Sequence, residues 1–201
     1  MTTTTSTKGL KRIGRGSFTT AYKKENDCIL HSIDTVKIAM AEGFTPDHRM
    51  FPKVEFLDSY FNADDDRVNV LKMDYMPRPS SIKQNVTARQ WRLYKWLESV
   101  FQTVLHSFDL GNYERMDLQY DLFRDCPSEF KAESEAITEM LDGLRNYCNI
   151  VVFEISPRNV TVKGGKLVLL DCFFDLELLE NVRRREREKH LSPCERIIRY
   201  I

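Results

Sequence analysis

The chain has 201 residues, of which 42% are hydrophobic and 30% charged, and its 30 basic and 30 acidic side chains give a formal net charge of zero. A neutral chain of ordinary composition offers no global electrostatic reason to bind nucleic acid or a membrane surface. Its five cysteines are scattered and include no CxxC pair, which argues against a disulfide framework or a zinc site and favours a reducing cytosol.

The first residues, 1–8, are rich in threonine and lack the apolar core of a signal peptide. We expect them to form a disordered lead. No run of about 18 apolar residues follows anywhere in the chain, so the sequence predicts no transmembrane helix.

Residues 9–76 are predicted to be rich in strands. Five segments have the alternation or the turn boundaries of strands: 10–13, 18–22, 34–40, 54–57 and 67–75. The first two flank Gly14-Arg15-Gly16-Ser17 and are expected to pair as a hairpin. The tract from Asn62 to Asp66 is expected to be a polar turn.

The clearest linker is residues 76–81, because Pro77 and Pro79 interrupt regular backbone pairing. Helical spacing follows, and Thr87 with Gln90 has the pattern of a capping box. Apolar side chains three and four apart mark the buried face of this helix: Leu97, Val100, Phe101, Val104, Leu105 and Phe108. Gly111 is the predicted helix stop, and a second long helix is expected to begin near Ser128.

The last part of the chain is predicted to contain a hairpin and a charged helix. Segments 159–162 and 166–170 flank Gly164-Gly165, which is typical of a tight turn. The helix is expected from Leu176 to His190. Its basic run, 183–189, is interpreted as a solvated face, with contact to nucleic acid or an acidic partner as the alternative. The chain is thus predicted to be α+β, with an antiparallel sheet in residues 9–76 and a reduced helical part in residues 77–201.

Three separated groups of residues point to phosphate chemistry. The first is the loop Gly14-Arg15-Gly16-Ser17-Phe18, because glycines let a backbone approach phosphates and offer N–H groups to them. The second is Lys37, a single cation between apolar neighbours. The third comprises Glu154 and Asn159, five residues apart, with Asp171 after the next strand. The hairpin between Asn159 and Asp171 is expected to bring them together, as chelation of a metal ion requires.

In this order the three groups resemble the motifs of protein kinases, and most nearly those of the small Ser/Thr kinases of T7-type bacteriophages. The resemblance implies a minimal two-lobed kinase-like fold that uses ATP and Mg²⁺. It places Lys37 on the α and β phosphates, Glu154 at the catalytic acid, and Asn159 and Asp171 as metal ligands. It also implies a cytoplasmic enzyme, made early in infection, that phosphorylates host proteins and itself and so redirects or shuts off host functions.

The segment Met73-Asp74-Tyr75-Met76 resembles the hinge of kinases. Its backbone would hydrogen-bond the adenine edge, with Met73 as the gatekeeper. The apolar side chains Ile13, Met73 and Val162 would then sandwich the adenine ring between the sheet and the helical part.

Four features depart from the kinase pattern. Glu154 stands where kinases carry aspartate and is longer by one methylene, and Val152-Phe153 replaces the His-Arg pair before it. Phe173 occupies the glycine position of the DFG motif. Only 30 residues follow Asp171, so an Ala-Pro-Glu segment and the usual substrate platform are missing. The glutamate paired with the lysine is assigned to Glu42, with Glu55 as a competitor.

These departures keep two other functions open. One is a pseudokinase-like protein that has lost chemistry and acts by binding and inhibiting a host protein, since a fold does not guarantee an activity. The other is phosphotransfer to a small molecule, as in kinase-like antibiotic or sugar kinases, which usually carry a larger helical region for the acceptor.

Overall fold

The computed structural model describes residues 9–189, so the predicted disordered lead lies outside the described residues. The N-terminal part is a five-stranded antiparallel sheet of order β1-β2-β3-β5-β4. Its strands are β1 Lys11–Arg15, β2 Thr19–Lys24, β3 Asp27–Ser32, β4 Glu55–Phe61 and β5 Arg67–Asp74. The predicted glycine hairpin and the polar turn after β4 are both confirmed.

The predicted third strand, residues 34–40, is wrong, because this segment forms helix α1, Thr35–Ala41. Asp34 caps the helix, and its Oδ1 accepts a hydrogen bond from the Val36 N–H at 3.0 Å. The buried apolar residues of α1 recur at spacings of three and four: Val36, Ala39 and Met40. The alternation around Lys37 spans too few residues to distinguish a strand from a helix. The third strand is instead β3, which the sequence analysis missed.

The C-terminal part is mainly helical. Its helices are α2 Ile82–Asn85, α3 Ala88–Leu105, α4 Asn112–Arg124, α5 Lys131–Leu144 and α6 Leu176–Lys189, with a 3₁₀ turn at Ser128–Phe130. The helix near Ser128 and the charged helix from Leu176 are confirmed. The role given to Gly111 is wrong, because α3 ends at Leu105 and Gly111 is the N-cap of α4, a helix that the spacing analysis missed.

Two small antiparallel ribbons lie between these helices. Strand β6, Val151–Phe153, pairs with β9, Phe173–Asp175, and β7, Val160–Lys163, pairs with β8, Lys166–Leu169. The turn of the second ribbon is made by Gly164 and Gly165, whose φ angles of 59° and 73° lie in the left-handed region. The hairpin predicted around these two glycines is therefore confirmed.

The α+β class is confirmed, and a five-stranded antiparallel sheet followed by a helical part is consistent with a small kinase-like fold. Among the described residues, no helix is both long and apolar enough to cross a membrane.

The two ribbons are held in the core by packing and by buried amides. Phe153 is 1% exposed and packs edge-on against Phe123 and Phe173, with ring centroids 5.3 Å and 5.5 Å away. The buried Gln119 side chain accepts a hydrogen bond from the Phe153 N–H at 2.8 Å, and the buried Gln90 accepts one from the Leu167 N–H at 2.9 Å. Helices α3 and α4 therefore fix the strands that carry the polar residues of the site.

The predicted capping box at α3 is half formed. Thr87 is the N-cap, and its hydroxyl accepts a hydrogen bond from the Gln90 N–H at 3.3 Å. The reciprocal hydrogen bond, from the Thr87 N–H to the Gln90 side chain, is replaced by two others. The Thr87 N–H donates to the Gly165 carbonyl, and the Gln90 side chain accepts from the Leu167 N–H of β8.

We expect Thr87→Ala to lower the free energy of unfolding by about 1 kcal/mol, because the first turn of α3 loses its side-chain acceptor. Urea unfolding followed by circular dichroism measures this change. Thr87→Ser keeps the hydroxyl and is the matched control. Equal stability of the alanine and serine variants would contradict the assignment of the cap.

Candidate active site

Helix α1 brings a buried lysine to the end of β8. The Lys37 side chain is 5% exposed, and its Nζ lies 3.1 Å from Oδ1 of Asp171, whose side chain is 54% exposed. The same ammonium donates a hydrogen bond to the Leu170 carbonyl oxygen. The ion pair therefore has a buried cationic side and a solvent-facing anionic side, and a ligand can approach the carboxylate from solvent.

The pKa values of Lys37 and of Asp34, the N-cap of α1, reflect competition between burial and nearby charges. Burial opposes the charged form of Lys37, but Asp171 and Asp34 outweigh it, so the pKa of Lys37 lies above its ordinary value. Burial also raises the pKa of Asp34 to about 7, and the neighbouring Lys37 limits that rise. The lysine thus stays cationic at neutral pH although it is almost fully removed from water.

The residues predicted as catalytic acid and metal ligands are linked by hydrogen bonds. The Asn159 Nδ2 group donates to Glu154 Oε1 at 3.3 Å. The Asn159 carbonyl accepts from the backbone N–H groups of Leu170 at 2.8 Å and Asp171 at 3.2 Å, and the Glu154 N–H donates to the Cys172 carbonyl at 2.8 Å. The structure thus brings Glu154, Asn159, Asp171 and Lys37 together, although Lys37 lies more than a hundred residues before the others.

The chemistry of these donors fits a magnesium ion held together with a nucleotide. Since the Asn159 amide nitrogen donates to Glu154, its Oδ1 is the side-chain atom that would bind a cation, and the Asp171 carboxylate is half exposed. Within residues 9–189, no group of three or more His, Cys, Asp or Glu side chains is arranged to hold a metal ion. Mg²⁺ sites commonly use one or two carboxylates and complete the shell with water and substrate phosphates.

The glycine loop forms the tight end of the β1–β2 hairpin. Arg15 is the last residue of β1, the Gly16 N–H donates to the Thr19 carbonyl at 2.8 Å, and Ser17 is exposed at the tip. Phe18 is half-buried and its carbonyl accepts from the Ile33 N–H at 3.0 Å, which ties the loop to the segment before α1.

The fold itself gives no reason for glycine at positions 14 and 16. Neither residue has a positive φ angle. A Cβ atom added at Gly14 would lie 3.9 Å from the Ala21 Cβ, and one added at Gly16 would lie 3.9 Å from the Thr19 carbonyl oxygen. Both are ordinary contacts, so neither backbone strain nor packing excludes a larger residue there.

The predicted hinge residues lie at the end of β5 and are joined to both parts of the molecule. Met73 is 8% exposed and pairs with Cys28 of β3, while the Tyr75 N–H donates to the Asn26 carbonyl at 2.8 Å. Asp74 is exposed and forms an ion pair with Lys163 of β7, at 3.0 Å.

The end of the predicted hinge is also bonded to the β7–β8 ribbon. Met76 is half-buried. The carbonyl of Pro77, directly after it, accepts a hydrogen bond from the Thr161 hydroxyl at 2.7 Å. Val162 is half-buried, and Ile13 is 40% exposed. The linker is therefore attached to β7 next to Val162, one of the three residues assigned to the adenine walls.

Neither glutamate assigned to Lys37 is its partner in the structure. Glu42 accepts a hydrogen bond from the Tyr147 hydroxyl at 2.6 Å, and Glu55 forms an ion pair with Lys72 at 2.7 Å. The assignment was wrong because it placed Lys37 on a strand and its partner on a compact turn after it, whereas Lys37 lies on α1 and Glu42 is the C-cap of the same helix. The sequence analysis missed Asp34, whose charge helps to raise the pKa of Lys37. An aspartate three residues before the lysine could have been recognised as the N-cap of a helix.

Two cavities lie away from Lys37, Glu154, Asn159 and Asp171. One, of about 460 Å³, lies between α1 and strands β4 and β5 and is lined by Ile38, Glu42 and Phe56 among others. The other, of about 310 Å³, lies between the proline linker and the β7–β8 turn and includes Val162. The Lys37–Asp171 pair lines neither cavity.

Comparison with known proteins gives only distant likenesses. No protein-family model and no curated protein matches the sequence. A thermostable mutant of aminoglycoside phosphotransferase APH(4)-Ia, in a ternary complex with AMP-PNP and hygromycin B, aligns at 14% identity and a TM-score of 0.32, covering 90% of this chain and 78% of that one. The apo form of a thermostable mutant of the same enzyme aligns at 13% identity and a TM-score of 0.31, with the same coverage. Likenesses at these TM-scores carry no argument about the chain's fold or activity.

Proposed function

We propose that this chain is an ATP-dependent phosphotransferase whose acceptor is a serine or threonine hydroxyl of a protein. The single observation that supports the proposal best is the assembly of one buried cation and three polar side chains where the sheet meets the helical part. Its members are Lys37, Glu154, Asn159 and Asp171.

Lys37 and Asp171 are assigned to the phosphates and the metal. Lys37 is held in the charged form and would exchange part of its bonding to Asp171 and Leu170 for phosphate oxygens. Asp171 and Asn159 would hold Mg²⁺, which when bound neutralises charge on the transferred phosphoryl group. Most of the rate enhancement would come from positioning and from charge stabilisation.

Glu154 is assigned to the acceptor hydroxyl. Its Oε1 already accepts the Asn159 amide, so the carboxylate is oriented before any substrate binds. A carboxylate at this place can align the hydroxyl and receive its proton as the phosphoryl group is transferred. The extra methylene relative to aspartate moves the carboxylate outward, and the local backbone must compensate.

The nucleotide is assigned to the region between the glycine loop and the hinge. Residues Gly14 to Phe18 would cover the phosphates, and the backbone of residues 73–76 would bond the adenine edge. The resemblance to small phage kinases extends the proposal to host proteins and the chain itself as acceptors, in the cytoplasm of a bacterial host.

The direct test is transfer from γ-labelled ATP with Mg²⁺, with purified protein alone and with bacterial lysate. We expect label on the chain itself and on lysate proteins. Absence of label from a folded protein, with Mg²⁺ and Mn²⁺ both tried, would overturn the proposal.

We expect Gly14→Ala and Gly16→Ala to weaken ATP binding by about tenfold without loss of stability. Both positions have room for a Cβ atom, and neither has a positive φ angle, so the folded protein tolerates alanine there. Alanine also lowers the conformational entropy of the unfolded chain, which favours the folded state. The added methyl groups would instead obstruct the approach of phosphates to the backbone. Isothermal titration with ATP and thermal melting measure the two effects separately. Unchanged ATP affinity in both variants would contradict the placement of the phosphates under this loop.

A specific observation favours a second function, a binding protein on the same scaffold. Strand β9 ends at Asp175 and α6 begins at Leu176, so no segment that could carry a peptide platform lies between them. Under this alternative the chain would act by docking on a host protein. Lys37→Met and Asp171→Ala would then leave its effect in cells unchanged, whereas the phosphotransferase proposal expects both to abolish it.

A further inference from the structure

The β1–β2 hairpin carries a local excess of positive charge, although the chain as a whole is neutral. Residues 9–24 contain five basic side chains and no acidic one: Lys11, Arg12, Arg15, Lys23 and Lys24. All five are exposed, and none of them forms an ion pair with another residue of the range 9–189. A surface with charges of one sign attracts and orients partners of the opposite sign.

Two of these cations lie directly opposite each other in the sheet. Lys11 of β1 pairs with Lys23 of β2 across the antiparallel ladder. Like charges in this position destabilise a sheet. The Lys23 ammonium lies 4.3 Å from the centroid of the Tyr75 ring, and such a contact at an exposed site is weaker than a full counter-charge. An anionic group bound at the hairpin would relieve the repulsion between the two lysines.

The hairpin also forms one edge of the five-stranded sheet. The strand order is β1-β2-β3-β5-β4, so among the described residues β1 has a neighbouring strand on one side only. The outer N–H and C=O groups of an edge strand can pair with an extended segment of another chain. Cations on an edge repel a second copy of the same edge. The β1 edge therefore disfavours self-association and suits an extended segment that carries negative charge.

We propose that the β1 edge binds an extended, acidic segment of an acceptor protein. The segment would add a strand beside Lys11–Arg15, with its carboxylates next to the basic side chains of the hairpin. Nucleic acid would satisfy the charges but not the backbone groups of the edge, so the two observations together favour a polypeptide. The role of the bound protein as an acceptor rests on the proposed function, whereas the binding itself does not.

The position of β1 suits this role. Strand β9 is followed directly by α6, so an acceptor protein needs another surface on which to bind. Strand β1 runs into the glycine loop, because its last residues are Gly14 and Arg15. A segment paired along β1 would therefore end beside the loop that is proposed to cover the phosphates.

The binding test uses a synthetic peptide of alternating glutamate and threonine, the Glu–Thr peptide. Its control is a peptide of alternating glutamate and proline, which has the same charge but lacks every second N–H donor. A DNA duplex of equal charge tests the other class of polyanion. We expect fluorescence anisotropy to show that the Glu–Thr peptide binds at least about tenfold more tightly than either control.

The variant that tests the hairpin is the double substitution Lys11→Glu with Arg12→Glu. It should weaken binding of the Glu–Thr peptide by about tenfold or more, because two attractions become repulsions. Its melting temperature should not fall, since Lys11→Glu replaces the repulsion from Lys23 by an attraction. The matched control is Arg183→Glu with Arg187→Glu, which reverses two exposed cations of α6 and should leave binding unchanged.

The role in transfer is tested with two serine peptides, one of which carries the Glu–Thr sequence as an extension. We expect the extension to lower the KM for the peptide by about tenfold and to leave kcat unchanged, because it adds binding that is equal in the ground state and the transition state. The double substitution in β1 should abolish this difference in KM.

Equal affinity for the two acidic peptides would overturn the pairing of a strand with β1, and tighter binding of DNA would overturn the class of partner. Loss of binding in the α6 variant rather than in the hairpin variant would overturn the location. An equal KM for the two serine peptides would overturn the role in holding acceptors. If the protein bound the Glu–Thr peptide but transferred phosphate to neither serine peptide, the proposed function would fail while the binding surface would stand.

Discussion

Replacement of Asp171 by alanine is expected to reduce phosphoryl transfer by about a thousandfold or more. The carboxylate is the exposed member of the Lys37 ion pair and the proposed ligand of the nucleotide's metal ion. The variant should remain folded but melt at a lower temperature, because the buried Lys37 ammonium loses its ion-pair partner while its hydrogen bond to the Leu170 carbonyl remains. Transfer from γ-labelled ATP and thermal melting, measured on the same preparation, check both expectations.

Asp121→Ala supplies the control for this substitution. Asp121 is likewise a half-exposed aspartate paired with a cation, Arg124, but it lies on α4 outside the site. Its loss should leave transfer unchanged. If Asp171→Ala kept the activity of the unaltered protein, the assignment of the metal and of the whole site would be wrong.

Replacement of Glu154 by glutamine is expected to lower kcat by roughly a hundredfold to ten-thousandfold, with the KM for ATP nearly unchanged. Glutamine keeps the length of the side chain and can still accept the bond from Asn159. It cannot take up the proton of the acceptor hydroxyl. The effect should therefore fall on the chemical step rather than on nucleotide binding.

Glu154→Asp separates charge from reach. It restores the residue that kinases carry, and we expect activity well above that of the glutamine variant because the charge is retained. Full activity in Glu154→Gln would show that this carboxylate takes no part in transfer. If the unaltered protein and both variants all failed to transfer phosphate while binding ATP, the scaffold function would be favoured.

The sequence predicted which polar residues lie together better than it predicted the elements that carry them. The spacing from Glu154 to Asn159, and the hairpin before Asp171, depend on local turn chemistry, which a sequence displays directly. Lys37 was correctly grouped with them, but its helix was predicted as a strand. The apolar residues around it, Val36, Ile38, Ala39 and Met40, fit both the two-residue period of a strand and the 3.6-residue period of a helix. Only the buried contacts of α1 decide between the two.

Other features could not be read from the sequence because tertiary contacts create them. Strands β6 and β9 have three residues each, too short to show a period, and they pair across a gap of about twenty residues. Helix α4 has few buried positions, among them Gln119 and Phe123, so it lacks an apolar stripe. The pairing of Lys37 with Asp171 joins residues far apart in the chain, and spacing says nothing about which carboxylate a lysine will meet.

The attachment of α1 has a consequence for control of the molecule. Kinase-like enzymes can be silenced by withdrawing a helix that carries a partner of the lysine. Here the helix carries the lysine itself and is anchored to the C-terminal part near both ends, by Thr35 on Asp175 and by Glu42 on Tyr147. Moving α1 away would break these two hydrogen bonds and separate the buried Lys37 ammonium from the Asp171 carboxylate. We therefore expect the site to stay assembled without an activating step. If the chain is the phosphotransferase proposed above, its activity would depend on how much of it is made and on which acceptors it meets.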